Sequence, residues 1–592
     1  MIYRVFYSTG VLAAIALISA CSGDQATEQK RLEAREYYRT TNTVIPAENE
    51  IISFPPLPDT DSSRLESNPD RNAYFGDLHV HTTLSFDASA FGTTATPADA
   101  YRYAQGEAIL HPGGFEVQLA QPLDFYAVTD HAIMLGLVNE AADTSTEFSQ
   151  YELSESYHNI NDSVDGGLFD MAERNLIFNH FFSDVVANLL DGTFDNATVN
   201  KVSKSAWIET MEAANAAYQP GQFTTFAAYE YTSSSGDKQN LHRNVIFRSN
   251  TVPERALSSL DVPNAIELWK GLEATCGEDC DFLTMPHNPN KAWGLTYSRF
   301  TWDGQEYDEA DWRLRQRREP LTEIFQIKGA QECALGVGAT DEECAFEQVF
   351  DPCQPGETTG CAFETGFVRQ GLKVGLALEQ ELGFNPLQVG FIAATDSHNS
   401  NPGDVEEWDF PGAVGAVTSS AARRLREDVE TDAYKSFIRF HTSGGLAAVW
   451  APENTREAIF DALARRETYA TSGPRMAVRL YAGWGIDAAA ANDHNAIVSL
   501  MAGGVPMGGV LRPDATKQTS PSFFVWATRD PMDAPLQRVQ MIKGWLDAQG
   551  QTHEKVVDIN CADGLRVDPA TGRCPDNGAN VDLKTCSFSP GS

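Results

Sequence analysis

Short apolar runs that end in a histidine or a carboxylate recur along the chain. The run 123–128 starts after Pro122 and leads into Asp130 and His131, which is the pattern of a buried strand with polar residues at its C-terminal end. We therefore predict a set of buried strands that deliver polar side chains at their ends. The same pattern recurs at 74–82, 223–231, 282–289 and 389–398.

Other segments predict the elements between these strands. The segment 241–247 is typical of the return arm of a hairpin, and 323–327 predicts a further strand. Thr96 followed by Pro97 predicts the start of a helix, so strand, helix and strand follow one another as in a parallel βαβ unit. Helix-like stretches at 172–190 and 204–218 fill much of the chain before the next strand.

The last part of the chain changes to short alternating apolar and polar runs. The segment 455–466 predicts a helix that leads into 469–475, the predicted last strand of a barrel. Beyond residue 475 the alternation predicts a small antiparallel β subdomain. Its runs are 476–481, 522–528, 536–542 and 554–559.

The N-terminal residues predict an export signal. Arg4 precedes an apolar run, 11–17, that is too short to span a bilayer. The run ends in Ile-Ser-Ala-Cys21, which resembles a bacterial lipobox, so residues 1–21 are predicted to be a lipoprotein signal peptide with lipidation at Cys21. An ordinary signal peptide with a chance cysteine is the alternative. By resemblance, Ser22 favours the outer membrane, facing the periplasm or the cell surface.

The segment that follows the signal is polar and rich in proline. Residues 22–70 are predicted to be a tether and an extended lead-in, because proline-rich polar segments favour extended chain.

The composition argues against some classes of partner. The chain of 592 residues has a formal net charge of −38, which argues against nucleic acid and against anionic lipid surfaces. A small anionic substrate stays compatible with this charge, since bound metal ions reverse the local field. The sequence does not predict an oligomeric state.

Ten cysteines favour an oxidising compartment. Apart from Cys21, most of them have a neighbour in sequence with which they could close a small loop, and free or metal-binding thiols are the alternative. Cys586 is then left without a partner. The candidate pairs are Cys276/Cys280, Cys333/Cys344, Cys353/Cys361 and Cys561/Cys574.

The strand-end residues have the chemistry of a metal site. Side chains two apart on a strand share a face, so His79 and His81 point the same way, as do Asp396 and His398. In parallel α/β barrels the C-terminal strand ends meet at one face, and imidazoles with carboxylates suit Zn, Mn or Fe. The candidate metal ligands are His79, His81, Asp87, His131, Glu230, His242, His287, Asp396 and His398.

The order of these residues resembles the polymerase and histidinol phosphatase (PHP) superfamily. The segments 74–82, 395–398 and 469–475 more closely resemble the domain of unknown function 3604 (DUF3604) family, and the likeness covers roughly residues 70–590. The resemblance implies a distorted seven-stranded (β/α) barrel and two or three divalent metals per chain.

Taken together with the patterns along the chain, the resemblance predicts a domain plan. A barrel over 71–475 would carry a helical insertion at 135–220 and a Cys-rich insertion at 330–370, followed by the β subdomain 476–592. Relatives are expected to continue past this point, so we interpret the subdomain as truncated, which would explain the unpaired Cys586.

The resemblance assigns the candidate ligands to three sites, with Glu230 as a bridge between the first two. The first site is His79, His81, Glu230 and Asp396, the second is Glu230, His242 and His287, and the third is Asp87, His131 and His398.

The implied activity is that of a metal-dependent hydrolase, foremost a phosphoesterase. A metal-bound hydroxide would attack the substrate, with Glu230, Asp396 and His398 as the catalytic residues. Hydrolysis of an amide, lactone or other ester by the same metal-activated water is an alternative, and a lipid-anchored binding protein without turnover is another.

Four polar residues beside the strand ends are candidates for contact with an anionic substrate. For each, a structural or solvated role is the alternative. They are Arg243, Asn288, Lys328 and Arg475.

Replacing the lipobox cysteine tests the predicted anchor. We expect Cys21→Ser to move the protein from the membrane pellet to the soluble fraction, because the lipid would have no attachment point. Fractionation of cells that express either form measures this. A variant that still sediments with membranes would contradict the anchor.

Overall fold

The structure, a computed structural model, describes most of the chain. Helices and strands both contribute, which confirms the predicted α/β class at the level of a mixed α/β fold. The predicted signal peptide and Cys21 lie outside the described residues. Those residues are 25–41, 49–54, 67–164, 168–234, 239–406, 410, 412–419, 442–484, 500, 503–513, 520–582, 584–585 and 587–588.

The bounds of the elements follow. The helices are α1 (Gln25–Thr41), α2 (Phe86–Ala90), α3 (Pro97–Ala104), α4 (Leu137–Ala142), α5 (Leu168–Asp191), α6 (Asn196–Ala217), α7 (Ala265–Cys276), α8 (Glu309–Arg318), α9 (Val368–Leu382) and α10 (Arg456–Ala464). The strands are β1 (Ile51–Ser53), β2 (Asn72–Asp77), β3 (Ile109–Leu110), β4 (Glu116–Val117), β5 (Phe125–Tyr126), β6 (Thr224–Thr225), β7 (Ala227–Tyr231), β8 (Arg243–Phe247), β9 (Thr251–Pro253), β10 (Phe282–Pro286), β11 (Leu321–Glu323), β12 (Phe325–Gln326), β13 (Gly329–Ala330), β14 (Gly390–Ile392), β15 (Leu446–Ala451), β16 (Thr468–Thr471), β17 (Ala477–Gly483), β18 (Gly504–Pro506), β19 (Ser522–Thr528), β20 (Arg538–Leu546), β21 (Thr552–Cys561), β22 (Val581–Asp582) and β23 (Ser587–Phe588).

A five-stranded sheet in the order β16-β15-β2-β5-β6 contains the first histidine-bearing strand, β2. Strands β2 and β5 are parallel and are joined through α3, so the predicted βαβ unit is present. Helix α3 starts as the sequence predicts, because Thr96 caps it and Pro97 opens it. The neighbour on the other side of β2 is β15, which runs antiparallel and was not predicted from the sequence.

A second sheet carries the ends that bear Glu230, His242 and His287. Strands β7 and β8 form an antiparallel hairpin, as predicted for 241–247, and β10 pairs with β8 on the other side. Strands β11 and β14 form a separate parallel pair.

The hydrogen-bonded ladders of the described residues do not close into a barrel. Instead, isolated bridges link the sheets at their ends, between His131 and Glu230 and between Val80 and Ser397. The seven-stranded closed barrel therefore stays a prediction, while the strand ends it was meant to gather do meet.

Apolar side chains from both sheets pack together behind these strand ends. Helix α10 covers this core through Ile459 and Leu463, which are fully buried. Apolar burial of this kind is the main favourable contribution to folding. Besides Leu78, which directly follows β2, the strand residues in this core include Phe125, Ile246, Leu283, Ile392 and Val449.

The segment predicted as a tether is partly a docked helix, which corrects that interpretation. Helix α1 packs on α5, where Arg31 pairs with Asp184 at 2.5 Å and Lys30 pairs with Asp191 at 3.0 Å. Its polar composition concealed this, because the contact combines charge pairs with only a few apolar residues, the buried Ala34 and the partly buried Tyr38, whose ring lies 4.9 Å from that of Phe182.

The end of the chain is antiparallel, as the alternation predicts. Strand β17 pairs with β18 and β19, and β20 pairs with β21. All four cysteine pairs proposed from sequence neighbours form disulfides, and Cys586 lies outside the described residues. Among the described helices we find none long and apolar enough to cross a membrane.

The contact between β2 and β5 leaves no room for a side chain at Gly76. An added Cβ would lie 2.3 Å from the carbonyl oxygen of Phe125. We expect Gly76→Ala to lower the free energy of unfolding by about 3 kcal/mol, measured as a lower urea midpoint. Gly544→Ala on β20 is the matched control, since its Cβ would meet nothing nearer than 3.8 Å. Equal midpoints for the two variants would contradict this packing.

Candidate metal centre

All nine predicted ligands meet in one cluster, in which Asp87 lies on helix α2 and the other eight lie on strands or on the segments beside them. His79 and His81 follow β2, Glu230 lies near the end of β7, and His287 follows β10. Within the described part of the chain, four groups of side chains have ligand atoms that all lie within 4.8 Å of one another. They are His81/Asp87/His131/His398, His79/His81/Asp396, His79/His287/Glu323 and His131/Glu230/His242.

The four side chains that the resemblance assigns to the first metal site converge on one point. The Nε2 atoms of His79 and His81 lie 3.2 Å from Oε2 of Glu230 and 3.2–3.3 Å from Oδ1 of Asp396. His81 Nε2 and Asp396 Oδ1 are buried, yet neither has a hydrogen bond of good geometry. Atoms that crowd together without hydrogen-bonding are suited to share a cation, so this donor set fits a metal ion.

The two oxygens of Glu230 face different histidines. Oε2 faces His79 and His81 of the first site, while Oε1 lies 2.5 Å from Nδ1 of His242 and 3.2 Å from Nε2 of His287, the histidines of the second site. A carboxylate in this position can bridge two metal ions.

The third site implied by the resemblance lies around Asp87. Its Oδ2 is 3.0 Å from Nε2 of His131 and 2.9 Å from Nε2 of His398. The other ring nitrogen of His131, Nδ1, is 3.3 Å from Oε1 of Glu230. His131 therefore lies between the second and third sites, whereas the resemblance assigns it to the third site alone.

The electrostatics of the cluster favour ionised carboxylates. Burial by itself would raise the pKa of Glu230, but the facing His131, His242 and His287 hold that pKa well below its ordinary value. Burial would likewise raise the pKa of Asp87, but the facing His131 and His398 hold it well below its ordinary value. Ionised carboxylates are the form that binds a cation.

Burial lowers the pKa of His81, His242 and His287, which favours the neutral form in which histidine binds a metal. For His79 and His131 burial acts in the same direction, but the facing carboxylates outweigh it and raise the pKa. Burial, and then the neighbouring His398 and His131, lower the pKa of His81 to about 4. Burial lowers the pKa of His242 to about 3, although Glu230 opposes this.

The sequence reasoning missed Glu323, which supports His79. Its Oε2 lies 3.0 Å from Nδ1 of His79, and its Oε1 accepts a hydrogen bond from Gln331 at 2.9 Å. Carboxylates in this position fix the tautomer and orientation of a ligating histidine. The available signal was a carboxylate at the end of a short apolar strand, but the predicted strand began at residue 323, whereas β11 ends there.

Asp77 fastens the first and last ligand-bearing segments together. Its carboxylate accepts hydrogen bonds from the hydroxyl of Thr395 at 2.5 Å and from the backbone N–H groups of Gly403 and His79. Asp396 follows directly in a left-handed conformation with φ of 54°. Asp77 therefore positions His79 and Asp396 without facing the cluster through a ligand atom of its own.

Two of the four candidate substrate residues lie at the cluster. The ammonium group of Lys328 contacts Oδ2 of Asp396. Asn288 follows His287 and is fully buried, and neither polar atom of its side chain has a hydrogen-bond partner.

The other two candidates are held elsewhere. Arg243 forms a buried ion pair with Glu319 at 2.7 Å, which is the structural alternative for that residue. Arg475 donates hydrogen bonds to the carbonyl groups of Gln121 and Pro122, at the opposite end of the run that leads to His131. The structure does not bring Arg475 to the cluster.

Comparison with known proteins gives one family. Residues 68–592 match the family model described as "Protein of unknown function (DUF3604)", and no curated protein matches the chain. A solved structure from Bacteroides vulgatus ATCC 8482, described as a two-domain protein containing a predicted PHP-like metal-dependent phosphoesterase, has 12% sequence identity. The match covers 72% of this chain and 68% of that one with a TM-score of 0.27.

The contact between Glu323 and His79 can be tested by removing its charge. We expect Glu323→Gln to weaken metal binding by about tenfold to a hundredfold, because an uncharged amide orients the imidazole less firmly. Competition with a graded series of chelators measures the affinity. Glu332→Gln is the control, since Glu332 pairs with Arg369 and does not contact the cluster. Unchanged affinity in Glu323→Gln would remove Glu323 from this role.

Proposed function

The chain belongs to the DUF3604 family, and from its site we propose that it is a metal-dependent hydrolase that cleaves phosphate esters. The observation that carries the proposal is the position of Glu230. One of its oxygens meets the histidines that follow β2 and the other meets His242 and His287. A buried carboxylate between two sets of imidazoles is an arrangement suited to a multinuclear metal centre.

The proposed cofactors are two or three divalent transition metals, Zn, Mn or Fe. Such metals, when bound, activate water near neutral pH and neutralise charge on a phosphoryl group. The proposed ligands are those of the three sites. The first is His79, His81, Glu230 and Asp396, the second is Glu230, His242 and His287, and the third is Asp87, His131 and His398. All of these side chains are buried or nearly so, which keeps competing water away from the centre.

The residues of the chain would divide the work of hydrolysis among them. Glu230 would hold two cations through its two oxygens, and Asp396 would hold one of them through Oδ1 while its Oδ2 contacts Lys328. Lys328 adds a positive charge beside the centre, where it would stabilise an anionic substrate. This cation favours phosphate esters over neutral amides and lactones.

The location and partners of the protein also remain proposals. We propose that the protein is exported and anchored to the outer membrane by a lipid on Cys21, that its substrate is a small anionic molecule, and that it binds no nucleic acid. The four disulfides are compatible with an exported protein.

Metal analysis followed by a screen of phosphate mono- and diesters tests the proposed activity. We expect chelation to abolish hydrolysis and added Mn or Zn to restore it. Glu230→Gln should lose more than one metal equivalent, because Glu230 would bridge two ions. His398→Ala should lower turnover by about tenfold to a thousandfold.

His553→Ala provides the matched control for these variants. His553 is an exposed histidine that contacts Asp547, away from the centre, so its replacement should change neither metal content nor rate. Hydrolysis that survives both chelation and Glu230→Gln would refute the mechanism. Bound metals without turnover of any ester would instead favour a binding protein.

A further inference from the structure

Two lysines lie on neighbouring turns at the edge of the cluster. Lys328 occupies the turn between β12 and β13, and Lys291 ends the short 3-10 turn Pro289–Lys291 that follows His287. The side chain of Asn290 fastens the two turns together, since its amide donates to the carbonyl of Lys328 at 3.1 Å and to that of Ala330 at 3.2 Å. The backbone therefore holds both lysines near the metal centre.

The two lysines differ in their partners. Lys328 contacts Asp396. For Lys291 we find neither an ion pair nor a side-chain hydrogen bond among the residues that the structure describes. Burial, and then repulsion by Lys328, lower the pKa of Lys291 to about 8, against the attraction of Asp396. A partly buried cation beside a second cation is unfavourable unless an anion joins them.

Asn288 adds an unused hydrogen-bonding group to the same turn. Its side chain is fully buried and both of its polar atoms lack partners. The backbone fixes its position, because its N–H donates to Gln331 at 2.8 Å and its carbonyl accepts from the N–H of Lys291 at 2.9 Å. Buried polar groups without partners are rare in folded proteins, so an unpaired amide here indicates a ligand that would pair with it.

Asp396 connects this corner to the reacting centre. Its Oδ1 faces His79 and His81, while its Oδ2 contacts Lys328. A substrate whose reacting group is held at the metal ligands could thus place a second polar group against the lysines, on the far side of Asp396. Because Lys328 has three N–H donors and Asp396 takes one, donors remain for such a group.

We propose that Lys291, Lys328 and Asn288 form an anion subsite that binds a second, unreactive anionic group of the substrate. That group is a carboxylate or a second phosphate, both of which present oxygen acceptors to ammonium and amide donors. The proposal rests on the proposed function, since it describes the substrate of the same centre. The substrate class is accordingly a phosphate ester that carries a further acid group.

Binding of phosphonates, which are not hydrolysed, tests the subsite without turnover. Calorimetry on the metal-loaded protein compares methylphosphonate, which has one anionic group, with phosphonoacetate and ethylene-1,2-diphosphonate, which add a carboxylate or a second phosphonate. We expect at least one of the two-group ligands to bind the wild type about tenfold more tightly than methylphosphonate. Whichever of them binds more tightly identifies the second group.

Variants of Lys291 then assign the preference. Lys291→Met should bind the three phosphonates with equal affinity, and Lys291→Gln replaces it if the methionine variant does not fold. Lys291→Arg keeps the positive charge and should therefore still bind the two-group ligand more tightly than methylphosphonate. Lys201→Met is the control, because Lys201 is exposed on α6 and pairs with Glu147. Metal content is measured before and after each titration.

The outcomes separate this proposal from the proposed activity. Equal binding of all three ligands to the wild type, or a preference that survives Lys291→Met, overturns the subsite even if esters are hydrolysed. A preference that Lys291→Met removes supports the subsite even if the protein hydrolyses no ester, in which case the proposed activity alone fails.

Discussion

The burial of several carboxylates in one small volume is the constraint on which the rest of the structure depends. Glu230, Asp396 and Asp87 are held away from water, where an uncompensated charge is costly. Imidazoles from strand ends on both sheets surround them, so that each carboxylate faces at least two histidines. The strands must therefore end together, and the loops after them must stay ordered.

The supporting contacts serve this same requirement. Asp77 binds Thr395 and the backbone of Gly403, and thereby holds the segment that bears Asp396 against the end of β2. Glu323 supports His79 from behind. These carboxylates face hydrogen-bond donors rather than the centre, which gives them a positioning role that differs from that of the ligands.

The sequence predicted the ligands better than it predicted their frame. His79, His131 and Asp396 were recognisable because each follows an apolar run, and the pattern of strand and polar end is local. Glu323 was missed because local propensity does not mark it as the last residue of a strand, and β15 was missed although the polar residues Glu453 and Asn454 follow its apolar run. The docking of α1 and the distance of Arg475 from the cluster depend on tertiary contacts between distant segments, which a single sequence does not specify.

The position of β2 between β5 and β15 has a consequence for the order of folding. Asp77 and Thr395 are 318 residues apart, and Asn72 at the start of β2 pairs with Ala451 at the end of β15. Contacts of such long separation form slowly, and until they form the edge of β2 is unpaired and prone to association. A chain interrupted before residue 446 would contain every histidine of the cluster but would lack the strand that completes the sheet around them.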